Sequence, residues 1–162
     1  KSGIYNNVDG LITKTPGLLL SLQVADCVPI YLYALKTKII GLIHAGWRGI
    51  VGGIVRKSIK KMVCLGAEIN DIKIYLGPSI GMCCYEVGDE VADNFDAKIK
   101  IDNYKWRIGI KEQIKFNFLQ LGIKETNIIL SEICTFESME YHSYRRDGKE
   151  SGRLINFAVL KK

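Results

Sequence analysis

His44-Ala45-Gly46-Trp47-Arg48-Gly49 is the stretch around which the chain is organised. The apolar run Ile39-Ile40-Gly41-Leu42-Ile43 leads into it, and an amphipathic stretch beginning near Ile50 leads out. The order is therefore strand, tight loop, helix. Gly46 and Gly49 permit close approach of a ligand to the backbone. The start of the following helix offers free N–H donors and the positive end of a dipole, which suits an anion. Arg48 adds a planar, permanently charged fork. The plain alternative is a tight turn with a core tryptophan and a surface arginine.

Working outward, the upstream sequence reads as strands. Residues 8–13 form a short one, closed by the turn Thr15-Pro16-Gly17. Residues 18–24 alternate, with Leu20, Leu22 and Val24 on one face and Ser21 and Gln23 on the other. Residues 28–35 follow, with Pro29 near the start, where a proline is tolerated. Lys36-Thr37-Lys38 is a hairpin-like turn into residues 39–43. Downstream, Val51, Val55, Ile59 and Met62 fall at helical spacing, and the helix stops near Gly66. Residues 72–76, 127–130 and 153–160 read as further strands. A second helix is expected over residues 86–95. A third carries Trp106, Ile110, Ile114, Phe118 and Leu121 on one face and stops at Gly122. Residues 98–105 are polar and give no clear pattern.

The 162 residues fit one domain with a substantial core. Hydrophobic residues make up 48% and charged residues 25%, as in an ordinary globular protein. There is no run of roughly 18 apolar residues and no signal-peptide pattern, so a soluble, cytoplasmic protein is expected. Lys1 to Asn7 looks like a lead-in loop, and the chain is expected to begin in the middle of a larger fold. The net charge of +6 is spread through the chain without a basic tail or nucleic-acid motif. A basic excess can mean nucleic acid, a membrane surface or anionic metabolites, but here it is read mostly as a solvated basic face and gives nucleic acid little support. Five cysteines, at 27, 64, 83, 84 and 134, are odd in number and include no C-x-x-C. A disulfide framework and a zinc ribbon are therefore not expected, and a reducing compartment is.

Three clusters can carry chemistry. Cys27, after Asp26 and between two strands, stands upstream of His44. Thiolate and imidazole bind zinc and copper, and neighbouring strands can bring them together. Cys27 is alternatively a nucleophile with His44 as its base, or each is simply structural. Residues 77–88 are loop-like after a strand, with the vicinal pair Cys83-Cys84 read as two small residues leading into a helix. Last, Arg145 and Arg146 follow Tyr144 and can clamp an anion or stack on a base, or equally form salt bridges with Asp147 and Glu137. His142 is read as a surface or packing residue rather than a ligand.

Taken together, Ala25-Asp26-Cys27-Val28-Pro29, His44-Ala45-Gly46-Trp47-Arg48-Gly49, Gly77-Pro78-x-Ile80-Gly81 with Cys84-Tyr85-Glu86-Val87-Gly88, and Ser143-Tyr144-Arg145-Arg146-Asp147-Gly148 occur in this order. The set resembles the YfiH-type family, also called the multicopper polyphenol oxidase (laccase-like) family, and within it the purine nucleoside phosphorylases. The resemblance implies a single α/β (α+β) domain, a layered α/β/β/α sandwich with mixed, partly antiparallel central sheets. It implies a zinc site of two histidines and one cysteine, with copper as the alternative metal. Cys27 and His44 correspond to two of the ligands, and the third, a histidine, is expected upstream of Lys1. Cys27, His44 and Arg48 are the implied catalytic residues, and Arg48, Tyr144, Arg145 and Arg146 the substrate contacts. The implied activity is phosphorolysis of adenosine, inosine, guanosine and methylthioadenosine, with adenosine deamination in addition. Gly109 stands where the family usually carries Asp, which removes a contact at a helix start. Two other readings compete. A copper oxidase acting on phenols needs many histidines, and this chain has two. A non-catalytic partner, such as a peptidoglycan-precursor editing factor, is favoured by a crippled site, and Cys27, His44 and Arg48 are all present.

Overall fold

A computed structural model describes residues 3–161. Lys1 and Ser2 of the expected lead-in loop, and Lys162 at the basic end, lie outside the described residues. Strands β1 (Gly10–Thr13), β2 (Leu20–Val24), β3 (Val28–Ala34) and β4 (Ile39–Ala45) come first. Helices α1 (Trp47–Val51) and α2 (Ile54–Cys64) follow, then β5 (Ile72–Leu76), β6 (Glu86–Val87) and α3 (Asp89–Ala92). The chain ends with β7 (Lys98–Lys100), β8 (Trp106–Ile108), α4 (Ile110–Gln120), β9 (Ile128–Leu130), α5 (Tyr144–Asp147) and β10 (Leu154–Ala158).

The main sheet has five strands in the order β1-β4-β3-β5-β9, antiparallel except for the parallel pair β5/β9. Alternation along β3 explains its two faces. Val28, Ile30, Leu32 and Ala34 turn to one side and pack in the main core with Val55, Ile59 and Met62 of α2 and Ile114 and Phe118 of α4. Tyr31 and Tyr33 turn to the other side, where Ile40 and Leu42 meet Leu20 and Leu160. That second side is covered by the antiparallel ribbon β2/β10, tied on by the Tyr31 hydroxyl donating to Asn156 Oδ1 at 2.8 Å. A slip of one residue in β3 would bring both tyrosines into the helix-side core, so its register is strongly specified. A smaller sheet, β6-β8-β7, sits beside α4 and sends Ile108 into the main core. The architecture is thus mixed α/β with mixed sheets: helices, a five-stranded sheet and a ribbon in layers. Among the described residues no helix is long and apolar enough to cross a membrane.

Three expected helices differ. Helix formation begins earlier, at Trp47, and breaks at Gly52-Gly53 into α1 and α2, so Val51 is exposed rather than core. The expected helix over residues 86–95 is strand β6 followed by the single turn α3. Glu86 and Val87 pair with Arg107 and Trp106, which extends the backbone there. Trp106 accordingly belongs to β8, and α4 starts only at Ile110. Gly109 is its N-cap and offers no side-chain cap.

Candidate functional site

Strand order alone gathers the quoted motifs. Because β3 runs antiparallel to β4 and β5, Val28 at its start faces Ala45 at the end of β4, and Ile30 faces Leu76 at the end of β5. Leu76 in turn faces Leu130 at the end of β9. The segments 25–27, 46–49, 77–85 and 131–147 therefore meet at one rim. Ligands of open α/β sheets commonly bind at such carboxyl ends.

Asp26 ties this rim together. It is buried, and its backbone is in the left-handed region at φ 78°, which Asp tolerates better than most residues. Its carboxylate accepts from the Thr135 hydroxyl at 2.7 Å, the Ser143 hydroxyl at 3.0 Å and the Arg145 N–H at 2.6 Å. Its own carbonyl accepts from the Ile80 N–H at 3.0 Å. One residue thus fixes two other segments of the rim, 77–85 and 131–147, and Ser143 passes the order on by accepting from the Arg146 N–H at 3.2 Å. Sequence reasoning used Asp26 only as the neighbour of Cys27. The available signal was an acidic residue set between two apolar strands.

Cys27 and His44 come together beside Gly46. A Cβ at position 46 would lie 3.0 Å from Cys27 Sγ and 4.0 Å from His44 Nε2, so both donor atoms face the same point. His44 Nδ1 lies 3.4 Å from Asp9 Oδ1, on the other side of the ring. A carboxylate at one ring nitrogen fixes the imidazole and leaves the other free for a metal. Burial, and then the negative charges of Asp26 and Asp9, push the Cys27 thiol up to about 11. A nucleophilic cysteine needs the opposite, a thiolate favoured at neutral pH. A cation between Sγ and Nε2 would offset those same negative charges, so the donor set fits zinc or copper better than it fits covalent catalysis. Among the described residues, no third donor forms a close cluster with this pair.

Beside the pair opens a small cleft of about 130 Å³, lined by Asp26, Cys27, Trp47, Tyr85, Tyr144 and Arg145 among others. Arg48 is exposed and stacks over Trp47 with its guanidinium carbon 4.3 Å from the ring centre. Arg145 lies 5.1 Å over the Tyr85 ring and donates to the Glu86 carbonyl at 2.6 Å. Burial raises the Tyr85 hydroxyl pKa, Cys27 adds to this, and Arg145 and Arg48 oppose it, so both arginines act on this pocket. Tyr85 belongs to the quoted motif but was not among the expected site residues.

Arg146, one of the expected substrate contacts, is engaged by its own loop, as the salt-bridge alternative has it. Its Nε and Nη2 donate to Asp147 at 2.8 and 2.9 Å. Nη1 reaches the carbonyls of Thr135 and Phe136, each at 3.0 Å, and Nη2 that of Tyr141 at 2.8 Å. Every N–H of the guanidinium is used in holding the 135–147 loop, which leaves none for an anion. His142 is exposed, with its ring beside Gly152.

The structure also shows a donor set that the sequence did not suggest. One ligand atom each of Cys83, Cys84, Cys134 and Glu137 lie within 4.8 Å of one another, an arrangement that can hold a metal ion. Cys83 and Cys84 do not lead into a helix. They lie in a turn closed by the N–H groups of Cys84 and Tyr85 on the Gly81 carbonyl, each at 3.0 Å.

Comparison with known proteins agrees with the fold. The chain is 38% identical to a protein named purine nucleoside phosphorylase YlmD from Geobacillus stearothermophilus, over 93% of this chain and 59% of that one. It is 35% identical to a protein named adenosine deaminase RL5 from an unknown prokaryotic organism, over 91% of this chain and 60% of that one. The crystal structure of YlmD from Geobacillus stearothermophilus superimposes with a TM-score of 0.92 at 34% identity, covering 96% of this chain and 62% of that one. The chain thus spans about three fifths of the length of the curated relatives it matches. The sequence model for the family described as multi-copper polyphenol oxidoreductase laccase matches residues 1–161, and the chain belongs to that family.

Proposed function

We propose that the cleft beside Cys27 and His44 is the active site of a zinc-dependent purine nucleoside phosphorylase that also deaminates adenosine. The observation that carries the reading is the convergence of Cys27 Sγ and His44 Nε2 at the mouth of an aromatic cleft flanked by Arg48 and Arg145. The names of the relatives support it.

Phosphorolysis joins a phosphate oxygen to C1′ of the ribose and breaks the bond from C1′ to the purine. The purine leaves with the bonding electron pair and takes up a proton. The chain supplies what this requires. Trp47, Tyr85 and Tyr144 offer flat faces for base and sugar. Arg48 and Arg145 carry the positive charge that draws phosphate to the sugar and offsets charge in the transition state. Their own aromatic contacts hold both guanidinium groups in place before substrate arrives. Tyr85 keeps its proton at neutral pH and serves as a hydrogen-bond donor. Deamination replaces the C6 amino group by oxygen from water and releases ammonia. A zinc ion would be held by Cys27 and His44, with Asp9 steadying the imidazole, and by a third ligand that we assign to a histidine upstream of Lys1. Bound there, zinc would supply Lewis acidity and a water acidic enough to give hydroxide near neutral pH, with a pKa of ~7.

The test is incubation of the purified protein with adenosine and phosphate, with adenine, ribose 1-phosphate and inosine followed by chromatography. Phosphate-dependent release of adenine that is lost in His44→Ala and Cys27→Ser is expected. Undiminished release in both variants overturns the assignment.

A further inference from the structure

The proposed reaction leaves one reactive cluster unused. Cys83 and Cys84 sit in the turn after Gly81, and Cys134 and Glu137 lie in the loop after β9. The two segments are stitched together by a parallel bridge between Ser79 and Cys134 and by the Thr135 N–H donating to the Ser79 carbonyl at 3.1 Å. Three sulfurs and a carboxylate then lie within 4.8 Å of one another.

This grouping is built rather than accidental contact on a surface. The Gly81 N–H donates to Cys134 Sγ at 3.2 Å. A Cβ at position 81 would lie 3.0 Å from Cys83 Sγ and 3.4 Å from Cys134 Sγ, so glycine leaves the space the sulfurs occupy. The ammonium of Lys111, itself buried, is anchored on the carbonyls of Ser131 and Ile133 at 2.6 and 3.1 Å, and its charge acts on Cys134 and Cys83. Burial works against ionisation of Cys134. The N–H groups of Gly81, Glu137 and Phe136, with the Cys83 thiol, outweigh it and hold Cys134 below the usual thiol range. Burial is the largest cause raising Cys83 and Cys84, so those two keep their protons.

Three sulfurs select soft, thiophilic cations over magnesium, calcium or manganese. A tetrahedral zinc with Zn–S near 2.3 Å sets its donors roughly 3.7 Å apart, so this cluster closes on an ion by moving about 1 Å at most. We propose that Cys83, Cys84, Cys134 and Glu137 form a second metal site, for a thiophilic cation such as zinc, separate from the Cys27–His44 pair. Binding sends the thiol protons of Cys83, Cys84 and Cys134 to solvent. The ion clasps the turn that carries Tyr85 to the loop that leads to Arg145, and so braces both sides of the cleft. The site stands independently of the phosphorylase reading.

The experiment uses the reduced, chelator-treated chain carrying Cys27→Ser and His44→Ala, which removes the other pair. Cobalt(II) is titrated in as the spectroscopic substitute for zinc, with circular dichroism as the check on folding. A thiolate-to-cobalt charge-transfer band that saturates at one equivalent and is displaced by zinc is expected. Cys83→Ser, at an exposed position, should lower the band by about a third and weaken binding about tenfold or more. Cys134→Ser should weaken it further. No charge-transfer band from the folded chain, or a band unchanged in Cys83→Ser, overturns the proposal.

Discussion

The Asp26 carboxylate and the Thr135 hydroxyl, 109 residues apart in sequence, lie 2.7 Å apart in the buried wall of the cleft. The same carboxylate holds Ser143 and the Arg145 N–H. Replacing it by alanine leaves those donors without their acceptor. Leaving a buried donor unsatisfied costs about 1–3 kcal/mol, so Asp26→Ala is expected to destabilise the chain by about 3 kcal/mol or more. Urea denaturation of the variant measures this. A midpoint equal to that of the parent would show that water replaces the carboxylate at no cost.

Gly46 gives a sharper test of the metal pair. Its backbone, at φ −84° and ψ 169°, is open to any residue. An alanine there meets no backbone strain, but its methyl lies 3.0 Å from Cys27 Sγ, so the thiol must shift by a few tenths of an ångström. Gly46→Ala should cost little thermal stability while lowering zinc affinity at Cys27–His44 by about tenfold, the size of effect seen when a metal site's supports are disturbed. Competition with a chromophoric chelator, in a Cys83→Ser background, reads it out. Unaltered affinity would place the metal elsewhere.

Arg145 and Arg146 are adjacent and should behave differently. Arg145 has its guanidinium over Tyr85 in the cleft, and Arg146 holds its own loop. Arg145→Ala is expected to raise KM for phosphate with little change in melting temperature. Arg146→Ala is expected to lower the melting temperature, with activity falling as the loop loosens. Steady-state kinetics beside differential scanning calorimetry separates the two. Equal thermal shifts would argue that both are structural.

The ion pair Arg146–Asp147 also sets a pH dependence. Its hydrogen bond to Arg146 is the largest cause holding the Asp147 carboxyl below its usual 3.8, with burial opposing. A depressed carboxylate stabilises the fold above its unfolded-state pKa, and this contribution fades as pH falls through the lower folded value. Asp147→Asn should therefore be less stable than the parent at pH 6, and the gap should close below pH 3.8. A gap that stays constant over that range would remove the pair from the acid response.

Strand alternation made most of the main sheet legible, because β2, β3 and β4 each bury one side chain in two or run fully apolar. The smaller sheet was not. Glu86-Val87 is too short to show a period. Trp106 sits at helical spacing from Ile110, Ile114 and Phe118, and only tertiary contacts reveal a strand. Its Nε1–H donates to Asp89 at 2.6 Å, and Lys98 and Lys100 lie over its ring. Motifs brought Cys27, His44, Arg48 and Arg145 to attention. The engagement of Arg146 depends on backbone carbonyls, which have no residue signature. The thiol cluster depends on a bridge between Ser79 and Cys134, which chain order does not display.

The turn Lys36-Thr37-Lys38 lies at the opposite end of β3 and β4 from the cleft. Seven strand residues at ~3.3 Å each put it roughly 20 Å away. Its backbone is braced from outside the sheet by Asp71, which accepts from the Lys36 N–H at 2.7 Å. A fluorophore, spin label or surface tether attached at Lys38 would therefore report on or immobilise the molecule without crowding substrate, and distance measurements from it to a probe at the rim would follow cleft motion directly.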